Sequence, residues 1–192
     1  MILASNNAHK LEEFRAIFAD MGIEIIPQSA AGCHFEVDET GETFEENAYL
    51  KAIAVTRATW QPAVADDSGL MVDALGGAPG VHSARYATDG HDFAANNRLL
   101  LRNLAGASTR RARFRTVIAL ILDGRESLFQ GAVEGCIAET EAGCGGFGYD
   151  PLFVPEGCDR TFAEMTDEQK NALSHRGRAV RKLAEYLHNR TK

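Results

Sequence analysis

A chain of 192 residues with 45% hydrophobic and 24% charged residues is typical of a globular protein that buries one core. Its net charge of −7 disfavours a nucleic-acid backbone as the main partner, because that affinity comes from Lys and Arg neutralising phosphates. The sequence contains no apolar run of membrane-spanning length, no leader pattern and no cysteine spacing typical of zinc. We therefore expect one cytoplasmic domain over residues 1–192, with reduced thiols and without membrane or nucleic-acid partners.

The chain begins with a predicted strand, Met1–Ala4, a polar loop, Ser5–Lys10, and an amphipathic helix that ends at Gly22. Backbone N–H groups at a helix N-terminus attract anions, and the lysine adds a positive charge in the first turn. The loop is similar to a phosphate cradle but lacks the glycines and the Lys-Ser/Thr pair of a P-loop. A capped loop with a solvated lysine is an equally good interpretation. The apolar stripe of the helix consists of Leu11, Phe14, Ile17, Phe18 and Met21.

A second strand, Glu24–Ile26, precedes an acidic segment at residues 36–41. Thr43 and Glu46 then have the spacing of a capping box, which predicts the start of a helix. Lys51 lies on a different face of that helix from its apolar stripe, where a lysine is most often only solvated. Within the acidic segment, Glu39 is a candidate oxygen ligand for a metal, although acidic loops are commonly just hydrated.

Two adjacent carboxylates follow a short apolar run. Ala63–Ala65 predicts a buried strand with Asp66 and Asp67 at its carboxyl end, where open α/β sheets usually bind ligands. Two ionised carboxylates in a partly buried place repel each other unless a cation compensates, and Mg²⁺ prefers such oxygen ligands. A solvated turn is the alternative, because Asp-Asp-Ser-Gly is common in turns. A separate strand is predicted after the pair, over Leu70–Leu75.

The middle of the chain predicts a helix capped by Asp92 and then a β-hairpin. The hairpin strands are Thr116–Leu122 and Leu128–Ala138, joined by a turn at Asp123-Gly124. Before them, the basic cluster at residues 110–115 is either a nucleic-acid patch or a solvated strand end, and the acidic net charge favours the strand end.

A glycine-rich stretch at residues 143–153 carries two aromatic residues. Glycines let the backbone approach a ligand closely, and Phe147 offers a ring on which a base can stack. Thr161 and Thr166 both begin capping-box spacings, so one of them is expected to start a helix that includes Lys170. The sequence around His175 interrupts this helix, and a last amphipathic helix follows.

These motifs together resemble the inosine triphosphate pyrophosphatases, which act on nonstandard purine nucleoside triphosphates. Each motif alone is weak, but they occur in the family's order and extend over nearly the whole chain. The matching stretches are Ser5–Lys10, Glu39–Gly41, Thr43–Ala48, Lys51–Ala52, Ala65–Leu70, Leu75–Gly80, Ser83–Tyr86, Gly146–Pro151, Lys170–Ala172 and Ser174–Gly177.

The resemblance implies an α/β fold with an elongated mixed β-sheet flanked by helices, two lobes and a central cleft. It implies a homodimer that hydrolyses ITP, dITP and XTP to the monophosphate and pyrophosphate, and so cleans the nucleotide pool. The implied cofactor is Mg²⁺, with Mn²⁺ as a substitute. A nucleotide sensor without catalysis and a nucleic-acid-binding protein are the alternative functions. The acidic pair disfavours the sensor, because a pure binder gains little from carboxylates beside a triphosphate.

Residue by residue, the resemblance makes Asp67 a metal ligand and the proton acceptor. Glu39 becomes the second metal ligand, with Glu36, Asp38 and Glu42 as neighbouring alternatives. Lys51 and Lys170 are candidate cations for the phosphate charge. The triphosphate would bind Ser5, Asn6, Asn7, Ala8, His9 and Lys10. The rest of the nucleotide would contact Ser68, Phe147, Gly148, Tyr149, Asp150, Lys170, His175 and Arg176.

Discrimination against adenine follows from hydrogen-bond chemistry. Donors such as His175 and Arg176 would pair with the oxygen at purine position 6, where adenine instead carries an amino group. Buried donors left unpaired by the wrong base discriminate by about 10⁴. Guanine also carries this oxygen, so its rejection needs a feature at position 2 that the sequence does not reveal.

Overall fold

A computed structural model describes residues 1–19 and 22–190, so the predicted helix position Met21 lies outside the described residues. The strands are β1 (Ile2–Leu3), β2 (Ile26–Pro27), β3 (Ala63–Val72), β4 (Arg111–Leu122), β5 (Arg125–Ile137) and β6 (Phe153–Pro155). The α-helices are α1 (Ala8–Phe18), α2 (Phe44–Thr59), α3 (Phe93–Asn103), α4 (Asp167–Leu173) and α5 (His175–Arg190). The predicted α/β class is confirmed.

The strands form one mixed six-stranded sheet in the order β2-β1-β3-β4-β5-β6. β1 is parallel to both of its neighbours, with Leu3 opposite Pro27 on one side and Val64 on the other. β5 and β6 are antiparallel. Because β1 ends at Leu3, β3 continues beyond the end of β1, and the loop that follows β1 begins beside that continuing part.

Local capping signals predicted the helix starts well. The Thr43 hydroxyl accepts a hydrogen bond from the Glu46 N–H at 3.2 Å, and the Glu46 carboxylate accepts one from the Thr43 N–H at 3.2 Å. Asp92 caps α3 by accepting from the Ala95 N–H at 2.9 Å. Such caps satisfy N–H groups that the first helical turn leaves unpaired, so they depend only on nearby residues.

Two neighbouring capping boxes form where a single helix start was expected. The box at Thr166 starts α4, as the spacing predicted. The box at Thr161 also forms, but it caps only a short 3₁₀ turn at Phe162–Glu164. Ser174 is extended and separates α4 from α5, as predicted from the sequence around His175.

The predicted β-hairpin is confirmed, with longer strands than expected. Asp123 and Gly124 both have positive φ, at 52° and 71°, which is the conformation of a type I′ turn. β5 begins directly after them at Arg125 rather than at Leu128. The turn chemistry therefore determined the position of the hairpin, and pairing with β4 extended its second strand.

The prediction that the acidic pair lies at the carboxyl end of a strand is wrong, and so is the separate strand over Leu70–Leu75. β3 is continuous through both acids and ends at Val72, where a 3₁₀ helix, Asp73–Leu75, begins. Turn-forming residues became strand here because neighbouring strands supply hydrogen-bond partners, which overrides weak local preference. Asp66 and Asp67 are nevertheless beyond the end of β1, at residues without a β1 partner.

The described chain divides into two compact units. The first unit comprises the described parts of Met1–Asp67, Thr116–Gly131 and Gly177–Lys192, and the second comprises Ser68–Arg115 and Ala132–Arg176. Each unit has a buried apolar cluster. The first cluster contains Leu3, Phe14, Phe18, Ile25, Val64, Ile118, Leu120, Ala179, Val180 and Leu183. The second contains Leu70, Val72, Leu100, Leu104, Ala112, Phe114, Val133, Ile137, Tyr149, Leu152, Phe153 and Phe162.

The basic cluster before the hairpin is partly used inside the second unit. The Arg110 guanidinium donates to the carbonyls of Ile137 and Ala138 at 2.6 and 2.7 Å. Arg113 forms ion pairs with Asp73 and Glu134, both at 3.2 Å. These contacts agree with a strand end rather than a nucleic-acid patch. Among residues 1–19 and 22–190, no helix has the length and apolarity needed to cross a bilayer.

Replacing Gly135 with Ala should destabilise the protein. A Cβ at this position of β5 would collide with the Val154 carbonyl oxygen and lie 2.7 Å from the ring of Phe153. We expect a loss of about 2 kcal/mol in the free energy of unfolding, measured by urea denaturation. Gly90→Ala is the matched control, because a Cβ there meets only Thr88 at 3.8 Å. Equal stability of the two variants would contradict the packing inferred for β5 and β6.

Candidate active site

The loop between β1 and α1 is organised by its own polar side chains. Ser5 Oγ accepts from the Asn7 N–H at 3.1 Å, and Asn7 Oδ1 caps α1 by accepting from the Lys10 N–H at 3.2 Å. Asn6 Oδ1 accepts from a backbone N–H of the 3₁₀ helix Gln28–Ala31, at 3.3 Å. The loop therefore presents the positive end of an eleven-residue helix, which favours an anion. The remaining loop residues, Ala8 and His9, are exposed in the first turn of α1.

Lys10 compensates the first of the two adjacent acids. Its Nζ lies 2.9 Å from Oδ1 of Asp66, whose side chain is fully buried. A carboxylate without solvent needs such a partner, because an unpaired buried charge is costly. The pairing connects the loop after β1 to the middle of β3, which fixes the position of the lysine beside the helix N-terminus.

Lys51 compensates the second acid together with a third carboxylate. Its Nζ lies 2.8 Å from Asp67 Oδ1 and 2.8 Å from Glu39 Oε1. The Lys51 and Asp67 side chains are 11% and 8% exposed, whereas Glu39 is 29% exposed. Lys51 is therefore not a solvated surface lysine but a buried residue that bridges two carboxylates. It draws an acid of the loop at residues 36–41 towards an acid of β3.

The charges of this cluster change the protonation of its members. Burial alone would lower the pKa of Lys51, but the carboxylates of Asp67, Glu39 and Asp66 outweigh burial and raise that pKa. Burial raises the pKa of Asp67, and the attraction of Lys51 and Lys10 only partly opposes it. Lys51 thus stays charged because several carboxylates face it. Burial, with a smaller contribution from the nearby Glu39 carboxylate, raises the pKa of Asp67, so its carboxylate is more basic than an ordinary aspartate.

One oxygen of Asp67 fits a metal ligand. Asp67 Oδ2 is buried and has no hydrogen-bond partner among residues 1–19 and 22–190, although Thr116 Oγ1 donates to the backbone carbonyl of the same residue at 3.1 Å. Glu39 supplies a second possible oxygen ligand, because its Oε1 accepts a hydrogen bond from the same Lys51 ammonium. The described residues contain no cluster of three or more His, Cys, Asp or Glu suited to a metal. Two carboxylates with substrate oxygens and waters match the usual environment of Mg²⁺ rather than an all-protein cage.

In the described chain the two adjacent acids form ion pairs with different lysines. Successive side chains of a strand point to opposite faces, and Asp66 and Asp67 accordingly pair with lysines from two different helices. Asp67 Oδ2 is buried without a hydrogen-bond partner in the described chain, whereas Asp66 Oδ1 lies 2.9 Å from the Lys10 ammonium.

In the second unit, cationic groups surround the ring of Phe147. Lys170 Nζ is 4.8 Å and the Arg176 guanidinium carbon 5.7 Å from the centre of this ring. Both distances lie within the range of cation–π attraction. The ring of Phe93, from α3, lies 6.2 Å away. The structure therefore brings together an aromatic ring and two donors predicted from distant parts of the sequence.

The turn that carries Phe147 is anchored by buried polar contacts. Asp150 Oδ2 accepts from the Phe147 N–H at 2.8 Å and from Lys170 Nζ at 2.9 Å, and both charged side chains are almost completely buried. The Tyr149 hydroxyl donates to the Ser83 carbonyl at 2.8 Å. Burial raises the pKa of the Tyr149 phenol, which keeps this donor protonated. Asp150 and Tyr149 therefore have structural contacts that hold the turn.

His175 and Arg176 are buried rather than surface residues. The imidazole of His175 stacks on Phe114, with ring centres 4.7 Å apart and planes 9° from parallel. Arg176 is only 3% exposed, and its guanidinium donates to Ser68 Oγ at 3.4 Å. Because these donors are buried in the second unit, they are better suited to hydrogen-bonding a ligand than to keeping the surface soluble.

The comparison with known families agrees with this geometry. The model of the Ham1 family matches residues 1–186. The chain belongs to the Ham1 family. The resemblance, and the α/β fold with a mixed sheet that it implies, are confirmed.

Curated relatives of this Ham1 family member cover almost its whole length. A dITP/XTP pyrophosphatase of Porphyromonas gingivalis is 48% identical over 188 residues, covering 97% of this chain and 96% of the relative. A protein of the same name from Streptomyces avermitilis is 50% identical, with coverage of 95% and 94%. Solved structures are equally similar. The Ham1 protein of Staphylococcus aureus has a TM-score of 0.89 at 43% identity, and a HAM1 protein of Coxiella burnetii 0.90 at 41%, each covering 98% of both chains.

Two side chains of the Ham1 fold were not singled out from the sequence. Thr116 supports the Asp67 backbone from β4, and Asn97 of α3 donates from Nδ2 to the Gly148 carbonyl at 3.2 Å. Neither belongs to a recognisable local pattern. The one available signal was that Asn97 lies four residues after Phe93 and three before Leu100, at the spacing of the apolar face of the helix, where a buried amide needs a partner.

Replacing Lys51 with Met should destabilise this Ham1 protein at neutral pH. The change leaves Asp67 and Glu39 without their shared cation, and breaking a buried ion pair costs about 3 kcal/mol. The loss should shrink at mildly acidic pH. Without Lys51 the pKa of Asp67 rises further, and stability lost through a raised pKa returns as the pH falls below it.

Urea denaturation at the two pH values measures both effects. Lys182→Met is the control, because Lys182 makes only an exposed contact with the Gln130 carbonyl, and its loss should stay below about 0.5 kcal/mol. An Lys51→Met loss that is small, or that does not depend on pH, would refute the role of Lys51 as the counter-ion of these carboxylates.

Proposed function

We propose that this Ham1 protein hydrolyses nonstandard purine nucleoside triphosphates, namely ITP, dITP and XTP, to the monophosphate and pyrophosphate. The observation that carries the proposal is the buried Asp67 carboxylate, which has one unpartnered oxygen in the described chain and lies beside Lys51 and Glu39. The names of relatives up to 50% identical support the same reaction. By removing deaminated purines, the enzyme would keep them out of DNA and RNA.

The proposed cofactor is a divalent metal ion, with Mg²⁺ as the natural ion and Mn²⁺ as a substitute. Asp67 and Glu39 would hold it, because both contact Lys51, whereas in the described chain no ion pair joins Glu36, Asp38 or Glu42 to this cluster. Such an ion neutralises phosphoryl oxygens and lowers the pKa of a coordinated water. The carboxylates of Asp67 and Glu39, and in particular Asp67 Oδ2, which has no hydrogen-bond partner in the described chain, suit a hard cation that also uses substrate oxygens as ligands.

In the proposed reaction, a water oxygen bonds to the α-phosphorus while the bond to the bridging oxygen of the β-phosphate breaks. Asp67 accepts the proton of the water, and the raised pKa that burial gives it makes it a better base. Pyrophosphate leaves with the electron pair of the broken bond. Lys10 and the N-terminus of α1, in the loop Ser5–Lys10, would bind the negative triphosphate.

The second unit would bind the purine base. Phe147 would stack on it, while Arg176 and His175 would donate towards the oxygen at purine position 6. Lys170 lies against the same aromatic ring, and Ser68 is held by Arg176. These buried donors support discrimination against adenine, which offers an amino group where the oxygen would be.

We further propose that residues 1–192 act as one functional domain, and that the protein is a cytoplasmic homodimer. The single domain rests on chain length and the cytoplasmic location on the cysteine pattern, whereas the homodimer rests on the resemblance to the family. A small-molecule nucleotide is the proposed partner.

A panel of nucleotides tests the activity. With Mg²⁺ present, we expect pyrophosphate release from ITP, dITP and XTP, and a kcat/KM for ATP lower by about 10⁴. GTP should also be a poor substrate. Equal turnover of ITP, ATP and GTP would reject the specificity. Binding of ITP without hydrolysis at any Mg²⁺ or Mn²⁺ concentration would instead favour a nucleotide sensor.

Asp67→Asn should separate binding from catalysis. The amide keeps the size of the side chain but cannot accept the proton, so turnover of ITP should fall by about 10³ while nucleotide binding persists. Pyrophosphate release and calorimetric binding of ITP measure the two properties. Asp73→Asn is the control, because Asp73 is exposed and pairs only with Arg113 at 3.2 Å. Near-normal turnover by Asp67→Asn would remove Asp67 from the proposed role.

A further inference from the structure

Helix α3 contacts the base-binding turn of the second unit through two side chains. Phe93 lies 6.2 Å from Phe147, ring centre to ring centre, and Asn97, one turn further along, donates from Nδ2 to the Gly148 carbonyl at 3.2 Å. Asn97 is only 3% exposed, so water does not compete for this hydrogen bond. One helix thus supports both the aromatic ring and the backbone beside it.

Gly148 is the part of this turn that its neighbours do not hold. Phe147 is fixed through its N–H by Asp150, and Tyr149 through its hydroxyl by the Ser83 carbonyl. Gly148 lies between them at φ 64°, a conformation that glycine adopts and leaves easily. The hydrogen bond from Asn97 removes this freedom, because it fixes the direction of the Gly148 carbonyl.

Fixing the Gly148 carbonyl also fixes the direction of the Tyr149 N–H, which is a hydrogen-bond donor. A trans peptide is planar, so its carbonyl and its N–H point in opposite directions. While Asn97 holds the Gly148 carbonyl, the Tyr149 N–H therefore points away from Asn97. This N–H donates to no acceptor within the described residues. It is available to a ligand on the side of the turn opposite the asparagine.

Stability alone does not explain an asparagine at this position. Asn97 Oδ1 is buried and has no hydrogen-bond partner in residues 1–19 and 22–190, which costs free energy. Leucine has the same branching and number of side-chain heavy atoms and would bury no unpaired oxygen. The asparagine is better explained by its Nδ2 group, which donates to the Gly148 carbonyl and so orients the Gly148 peptide.

We propose that Asn97 is a positioning residue that holds the turn Phe147–Asp150 in the conformation that binds a 6-oxopurine. Asn97 acts through the Gly148 carbonyl and does not touch the base. The inference rests on the proposed function, since it concerns the base selectivity of that same reaction.

Steady-state kinetics of three variants test the proposal. For Asn97→Ala and Asn97→Leu we expect the KM for ITP to rise about 5-fold, with kcat changed less than about twofold, and the preference for ITP over ATP to fall by a similar factor. Asn97→Asp should have a larger effect than Leu, because its carboxylate would face the Gly148 carbonyl and repel it. Asn103→Ala is the control on the same helix, since among the described residues the Asn103 side chain makes one hydrogen bond, to the Tyr86 hydroxyl at 2.8 Å.

Hydrogen exchange gives a second readout that does not depend on activity. Followed by mass spectrometry, amides of the turn should exchange about 5-fold faster in the Asn97 variants than in the wild type or in Asn103→Ala. Urea denaturation identifies any variant that is unfolded, and the remaining variants are then compared.

The outcomes separate the two proposals. Unchanged exchange in the turn, or an unchanged KM and base preference in folded Asn97 variants, overturns the role of Asn97. A wild-type protein that hydrolyses none of the nucleotides overturns the proposed function, while faster exchange in the variants would still support Asn97 as the residue that holds the turn.

Discussion

The arrangement of the first unit depends on a single buried ammonium group. Lys51 lies 2.8 Å from carboxylate oxygens of both Asp67 and Glu39, and it thereby brings these two acids together. A lone positive charge cannot neutralise two carboxylates completely. The cluster therefore keeps a net negative charge. The pKa of Asp67 is raised, and its Oδ2 atom has no hydrogen-bond partner in the described chain. Such a cluster is suited to attract a further cation, and it tolerates burial because a lysine partly compensates it beforehand.

The second unit uses charge burial for a different purpose. Asp150 accepts hydrogen bonds from Lys170 and from the backbone of Phe147, so the ion pair orients an aromatic ring rather than a reacting group. Arg176 lies against the same ring and is almost completely buried. Fixed donors beside a stacking surface discriminate between bases because the wrong base leaves them unpaired. In the proposed function the two units would therefore have separate tasks, the first binding charged groups and the second recognising the base.

Elements governed by nearby residues were predictable, whereas β3 was not. The capping box at Thr43 and the Asp123-Gly124 turn are local structures, because their hydrogen bonds connect residues only a few positions apart. Asp66-Asp67-Ser68-Gly69 has the local chemistry of a turn, yet it is strand. Its neighbours in the sheet come from remote parts of the chain, and no window of sequence contains them. At this position, which includes the proposed catalytic residue, pairing with neighbouring strands overrides the local preference for a turn.

The sequence alone determined the family and the order of the motifs, and it supplied the residues proposed for phosphate, metal and base, because these are properties of the chain itself. Only the tertiary structure decided which charges meet. It assigned Lys10 to Asp66 and Lys51 to Asp67, since a strand alternates its side chains between two faces and two different helices supply the lysines. It also placed Asn97 beneath Gly148, 51 residues away along the chain. Such pairings depend on how the elements pack, and an isolated asparagine or lysine carries no local signal of its partner.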